Sequence, residues 1–577
     1  MSLERLDLED FTPGLNLRAG QFQLGAGESP AMLNVEVDPV SGFMSRPGLI
    51  RWNAADDVVT STWNPRSVER AQLSTGSYQI YATMGSTIYS AGANGVFSDL
   101  SIPCNATPHL ADFAFWGDIT YIATGTNAAV VSSSGWKREG TGTPVQLTDA
   151  SLGYNDNYTV PLYNHMPIAS HVETHASYLF CADITELGTY AGSHPNRIRW
   201  SHPNEPEDWA TADFIDIDNG GGRITAIQSF RDHLLIFKTE SVWALYGYDL
   251  ASWQLVEVSR ALGAPTKTAI GRSESSVFFF SGTSGSGVYV YDGSTATKIS
   301  SNLDPAMSAI GNQDNIWLGW VGNRLWVSTE WLPAESVGTR TGAFVWDPSM
   351  GGKFGSWVFH VPAVGSFRSI VERSDTNGAY PLIALYAPGE ASCLVSVPSR
   401  YGDIASSKDQ VLESPAASTA FACSYTTGWL TMGWPDRLKS WLRPRFVSRR
   451  NVSGSAVTLR MDVFKDYDES NAARSASASI LPTSNSITWR ALGYSDPLPN
   501  GFDFKEDGSA EADGKGADFS SGQVGSVIRR AVTGFGTARA IRITISNGQD
   551  ILTDTDAGEP WAIDAIFLKI RYRKFTT

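Results

Sequence analysis

The sequence predicts an all-β protein: a β-propeller of six or seven blades followed by a C-terminal β-sandwich or jelly-roll domain. Three observations predict it. Apolar residues seldom recur at helical spacing; they alternate or cluster in short runs such as Tyr78–Ala82, Leu234–Phe237, Val277–Phe280 and Val288–Tyr291. Gly 54 and Pro 28 punctuate the chain, while Trp 19, Tyr 20 and Phe 26 supply the side chains that suit pleated, half-buried surfaces. The runs also recur in units of roughly 40–50 residues, the period of propeller blades.

Seven such units follow one another, beginning near residues 66, 108, 166, 223, 264, 311 and 364. Several share a grammar of strand, polar turn and second strand ending in an aromatic, as in Val288-Tyr-Val-Tyr-Asp-Gly293 and Ala343-Phe-Val-Trp-Asp-Pro348. A blade cannot bury both faces alone, so stacking around an axis is the expected solution. Residues 406–577 change rhythm, with strands expected near 422–426, 439–447, 457–464, 486–489, 540–546 and 563–572. The expected organisation is therefore an N-terminal segment, 1–60, packing on the C-terminal domain, a propeller over 61–405, and a sandwich over 406–577. Two stretches, Trp331–Thr341 and the Gly/Asp/Ser-rich Ser495–Gly525, read as long loops.

Composition narrows function. Lys+Arg 44 against Asp+Glu 59 gives a net charge of -15. Gripping nucleic acid by its phosphates needs basic surface, so this chain is expected not to hold DNA tightly. The four cysteines, Cys104, Cys181, Cys393 and Cys423, are widely spaced and form no CxxC pair, so buried thiols are expected rather than a disulfide framework. Residues 1–10 are acidic and alternating, without the basic and apolar regions of a signal peptide, and no apolar run reaches membrane-spanning length.

Signatures of catalysis are missing from the sequence. Gly352-Lys353 and Gly514-Lys515 lack the remainder of a phosphate loop, and no G-x-S-x-G occurs. Asp216-Ile-Asp-Asn-Gly220 opens like a calcium loop, but Ile227 stands where its closing glutamate belongs. In His171-Val-Glu-Thr-His175 the glutamate is one place late for a zinc helix; on a strand, His171, Glu173 and His175 would share one face. No S-x-D-x-G-x-x-W box of propeller glycosidases is present. The expectation is no enzyme, no cofactor, and neither catalytic nor metal site. One basic cluster stands out: Arg437, Lys439, Arg443, Arg445, Arg449 and Arg450. Alternation would place Lys439, Arg443, Arg445 and Arg449 on one strand face, where with Arg437 and Trp441 they are candidate subunit-interface residues. Trp429 and Trp434 are further candidate anchors.

Three blocks carry a likeness to a known family. They are Pro13–Arg18 with Leu24–Asn34 and Ser45–Gly48; Asn196-Arg-Ile-Arg-Trp-Ser-His-Pro-Asn-Glu-Pro-Glu-Asp-Trp209; and Ile224–Lys238 running into Val277–Gly293. The last strand block, Trp561–Tyr572, joins them. In these the chain resembles the tail nozzle or hub proteins of short-tailed phages, the tail tubular protein B or packaged-DNA stabilisation family. Asn196, Arg197, Trp200, Asn204, Pro206 and Trp209 are its family-like motif positions. The resemblance implies a virion protein assembled in the host cytoplasm, a ring of about six copies below portal and adaptor proteins and above tail fibres or tip proteins. Double-stranded DNA would pass through the lumen without sequence-specific binding, with no membrane span. The alternative expectation is a propeller-type receptor- or carbohydrate-binding tail module.

Overall fold

The computed structural model describes residues 3–20, 23–37, 42–52, 65–93, 95–104, 111–125, 135–157, 159–283, 285–329, 342–351, 355–363, 365–375, 378–387, 393–397, 408–409, 419–442, 445–448, 457–468, 474–480, 489–491, 527–530, 536–547 and 561–572. Among them the only α-helix is the short Asp304–Ser308. The chain divides into two compact units, one of Arg51–Ser336 with Gly365–Ser396, the other of Met1–Ile50, Val337–Val364 and Val397–Thr577.

The first of these is the propeller, and its inner strands number seven. They are Pro65–Gln72, Asp112–Trp116, Ile168–His175, Ile224–Phe230, Ile270–Arg272, Trp317–Val321 and Ser366–Asp375. Each begins an antiparallel meander, for example Ile224–Phe230, His233–Lys238, Val242–Tyr246 and Gln254–Ser259 in the fourth blade. Apolar side chains from both faces interlock between blades. Ala71, Tyr81 and Ile122 join blades one and two; Tyr121, Val172 and Leu179 join two and three; Phe180, Ile227 and Trp243 join three and four; Phe237 and Phe279 join four and five.

Phe278 stacks on Trp320 between blades five and six at 5.0 Å. Ser328 Oγ donates to the Phe367 carbonyl between six and seven at 2.6 Å. Val68 and Tyr78 of blade one pack with Leu382 and Leu394 of blade seven, which closes the ring. Trp52 joins that closure, its backbone N–H donating to the Leu394 carbonyl. Closure also fixes one glycine: a Cβ on Gly319 would lie 2.4 Å from the Ile370 carbonyl oxygen of the next inner strand.

The other unit is a sandwich of two sheets. One centres on the long strand Ala562–Tyr572, the other on Ile541–Ser546 with Val457–Lys465 and Ser424–Thr426. Their faces meet through aromatic rings: Phe43 of the first sheet stacks on Tyr425 of the second at 4.2 Å, with Phe11 and Trp561 edge-on to Phe43. The N-terminal family-like blocks are built into this unit. Tyr425 Oη donates to the Gly27 carbonyl and Asn34 Nδ2 to the Ala422 carbonyl, and Arg46 lies 3.6 Å over the Phe421 ring.

Two boundaries differ from the expectation. Residues 337–364 group with the sandwich unit, because Ser356–His360 pairs with Gly14 through Trp357 and its Phe359 carbonyl accepts from Asn34 N–H. The expected strand 439–447 is two strands, Lys439–Trp441 and Arg445–Ser448, both laid along Ala562–Tyr572. Ser495–Gly525 and Trp331–Thr341 lie outside the described residues.

Candidate functional site

The inner strands leave a polar cavity of ≈ 460 Å³ on the propeller axis. Its wall carries charges at positions that would be ordinary surface on an open sheet. Glu69 comes from blade one, Asp112 from blade two, His171 from blade three, and Lys267 from the turn that enters blade five; Glu173 of blade three stands behind them. The Lys267 ammonium donates to the Ile227 carbonyl at 2.8 Å and sits 3.6 Å from Asp112 Oδ1 and 3.8 Å from Glu173 Oε2. Asp112 also accepts from the Val172 N–H, and His171 Nδ1 lies 3.5 Å from its Oδ2. Gln228 of blade four donates to Glu173 at 3.0 Å. Further out, Arg70 pairs with Glu372 and Arg223 with Asp183.

Three carboxylates around one ammonium cannot all be equally content as anions. Burial raises the Glu69 carboxyl to about 7, with Lys267 opposing and Asp112 and Glu173 adding to the rise. Glu173 is also raised, again chiefly by burial. Burial pushes the same way on Asp112, but Lys267 and His171 outweigh it and hold that group below its ordinary value. Lys267 is correspondingly held above its ordinary value: its three acidic neighbours outweigh a burial that acts against the ammonium. Chemically, the arrangement can hold and exchange one proton near neutral pH. Perturbed groups in a cavity mark candidate functional sites, and ion networks that only stiffen a fold perturb them too.

The axial cavity is of mixed charge. Its wall mixes Arg70, Arg223, Lys267 and Arg272 with the carboxylates. His171, Glu173 and His175 do share a strand face, yet each turns to a different neighbour: Asp112, Gln228 and Ser229 Oγ, the last 2.9 Å from His175 Nδ1. Burial lowers His175 to about 4, so it stays neutral. Among the described residues no group of three or more metal-ligating side chains occurs.

The family-like motif lies in blade three, with Arg197, Trp200 and Trp209 buried, Asn196 and Pro206 half-buried and Asn204 exposed. Arg197 forks onto Asp216 at 2.7 and 2.8 Å and reaches Glu186 at 3.2 Å. Arg199 is fully buried, bound to Glu186 at 2.7 Å and stacked on Tyr154. Trp200 meets Trp253 edge-on, and Trp209 Nε1 donates to the His165 carbonyl. Asn204 takes a left-handed turn (φ 62) and its N–H donates to the Ser177 carbonyl; Asn196 Nδ2 reaches Asp218 at 3.4 Å, and Pro206 sits in the turn before Glu207. Glu207 accepts from Lys137, Tyr121 and the Asn164 N–H, which pins the preceding loop.

The candidate interface residues separate. Lys439 is fully buried, its ammonium donating to the carbonyls of Trp434, Arg437 and Arg539. Trp441 is 1% exposed and its Nε1 donates to the Ala538 carbonyl. Both are core, not interface: alternation alone could not foresee a cage of carbonyls. Trp429 is buried as well. Arg437 is exposed and lies 4.1 Å over the ring of Trp434, itself 51% exposed. Arg445 lies in the strand Arg445–Ser448, whose side chains are outside the description; Arg443 and Arg449 lie outside the described residues. The residues that sequence reasoning missed, Glu69, Asp112 and Lys267, give one faint signal: a charge such as Glu69 inside a strand that also carries Val68.

No family model matches this chain, and no curated protein matches it. Among solved structures it is similar to streptogramin B lyase, at 12% identity and a TM-score of 0.34 over 60% of this chain and 96% of that one. It is also similar to BBS1N in its complex with ARL6DN, at 12% identity and a TM-score of 0.33 over 62% and 99%. At that distance neither neighbour's role passes to this chain.

Proposed function

We propose that this chain is a structural subunit of a phage tail, a nozzle or hub protein that forms a ring below the portal and adaptor and surrounds the exiting DNA. One observation carries the reading. Two of the described blocks that resemble the nozzle family are spent on architecture: Arg199 and Trp209 brace blade three, and Gly27, Asn34 and Arg46 lock the N-terminal segment into the sandwich. A scaffold needs such residues, whereas an enzyme would concentrate its distinctive residues on a cavity. In this reading the protein is not an enzyme, and the conduit is the space enclosed by several copies rather than the axis of one propeller. The net charge of -15 suits a wall past which DNA slides, because carboxylates offer no counterion-release gain. Adaptor, portal and tail-fibre or tip proteins are its partners in the virion.

Negative-stain imaging and solution mass of the purified chain test this. Rings with a central hole, of about six copies, are expected; a strict monomer at all concentrations overturns the proposal. A receptor- or carbohydrate-binding module is the second reading, favoured by a shallow hollow where Trp116 and His175 meet the 69% exposed Tyr248. Binding on a glycan array by a monomeric chain would favour it.

A further inference from the structure

The charges on the propeller axis do not balance, and one acid is left over. Lys267 stands 3.6 Å from Asp112 and 3.8 Å from Glu173. Glu173 also accepts from Gln228 and feels the Arg272 guanidinium. Along the wall Arg70 is matched by Glu372 and Arg223 by Asp183. Among the described residues no hydrogen bond or ion pair reaches Glu69, on which Lys267 acts only from beyond ion-pair distance. Lys267 and Arg272 thus face three carboxylates, and Glu69 is the one without a donor.

A second polar group in the same wall is unmet. Ser170 lines the cavity at 1% exposure, and its Oγ has no hydrogen-bond partner. A buried hydroxyl without a partner costs free energy that a bound donor would restore. Ile224, Leu318 and Ile370 line the cavity too, and offer hydrocarbon to a short chain. A volume of ≈ 460 Å³ lies within the range of small-molecule sites. A hard metal ion needs several converging oxygens, and among the described residues no group of three or more metal-ligating side chains occurs. An anion would meet the charge of Glu69 head-on. The missing partner is therefore a cation that carries N–H donors.

We propose that the axial cavity binds a small primary alkylammonium, which donates to the Glu69 carboxylate and to Ser170 Oγ and lays its chain against Ile224, Leu318 and Ile370. Hydrogen bonds between charged groups are stronger than neutral ones, and the enclosed site screens them little. Lys267 already shows this chemistry from within the chain: its ammonium donates to the Ile227 carbonyl beside two carboxylates. The ligand would give Glu69 the counter-charge that Lys267 gives to the other two. The inference concerns a single propeller and stands apart from the ring reading.

Calorimetric titration of the full chain with n-butylammonium tests it. The titration is run at pH 8, where the Glu69 carboxyl, raised to about 7, is ionised and the amine is still protonated. Saturable binding to wild type is expected. Affinity should fall about ten-fold or more in Glu69→Gln, and measurably in Ser170→Ala, which leaves every charge in place. Tetramethylammonium has the same charge and no N–H, and should bind about ten-fold more weakly or worse. Both variants should unfold cooperatively, which separates lost binding from lost fold. Absence of binding to wild type overturns the proposal, as does wild-type affinity in either variant or tetramethylammonium binding as tightly as n-butylammonium. None of these results bears on whether the chain forms rings.

Discussion

Lys267 Nζ stands 3.6 Å from Asp112 Oδ1 across the propeller axis, linking blade five to blade two. Inner strands whose apolar faces are already used between blades meet towards the centre through polar contacts such as this one and the Gln228–Glu173 bond. The ammonium thus holds together carboxylates that would otherwise repel one another.

Removing that cation should therefore cost more than an ordinary surface ion pair. Lys267→Met takes away the ammonium shared by Asp112 and Glu173, and breaking a buried ion pair on one side typically costs about 3–5 kcal/mol. A lower denaturation midpoint in urea at pH 7 is expected, with partial recovery when Glu69→Gln is added. Unchanged unfolding in Lys267→Met would mean that solvent, not Lys267, neutralises the axis.

Glu69 gives the stability a pH dependence of definite sign. Its carboxyl is raised from 4.5 to about 7 in the folded protein, so between these values the native state holds a proton that the unfolded chain has lost. Stability from this group is fully present below about 4.5 and is lost as pH rises through about 7. Glu69→Gln cannot ionise. Its melting temperature should fall less than that of wild type between pH 5 and 7.5, and at pH 8 the variant should be the more stable by about 1–3 kcal/mol. Parallel curves for the two proteins would refute the assignment.

How much of this was legible in the sequence depends on the range of the interaction. Blades were legible because alternation is local: Val277–Ser281 and Val288–Tyr291 declare a hairpin without reference to anything else. The axial cluster was not, because Glu69, Asp112 and Lys267 each look like surface charge until closure of the ring brings three blades together. Lys439 failed for a related reason. Period two places it beside Arg443 and Arg445 on one face, but the register along Ala562–Tyr572 slips by one residue between Trp441, opposite Ile570, and Arg445, opposite Phe567, and carbonyls from Arg437 and the distant Arg539 close over the ammonium. Residues 337–364 carry the strand grammar of a blade, and long-range ties to the N-terminal segment, Trp357 with Gly14 and Phe359 and Val361 with Asn34, group them with the other unit.

Gly319 sets how closely the sixth and seventh inner strands approach. The hydrogen of Gly319 leaves room that a methyl would fill to within 2.4 Å of the Ile370 carbonyl oxygen and 2.9 Å of Ile370 Cβ. Neither backbone nor a branched side chain yields cheaply, so Gly319→Ala must push the strands apart. A loss of about 1–3 kcal/mol in unfolding free energy is expected, the usual range for overpacking. Gly311→Ala, where nothing lies within 4 Å, is the matched control and should melt like wild type.

The family-like segment makes a last prediction about dynamics. Glu207 is the post to which the loop before blade three is tied: it takes two bonds from Lys137 at 2.7 and 2.8 Å, one from Tyr121 Oη at 3.0 Å and one from the Asn164 N–H. The loop so held carries Val160 at 63% and Tyr163 at 68% exposure, so apolar burial contributes little to its order. Glu207→Gln keeps the shape but replaces charge-assisted bonds with weaker ones and leaves Lys137 without its counter-charge. Local opening should then become easier while the apolar contacts between blades persist. In hydrogen exchange, amides of 159–165 should speed up about ten-fold or more, and those of Leu234–Phe237 should keep their wild-type rates. Equal acceleration in both segments would show that Glu207 supports the whole propeller rather than this loop.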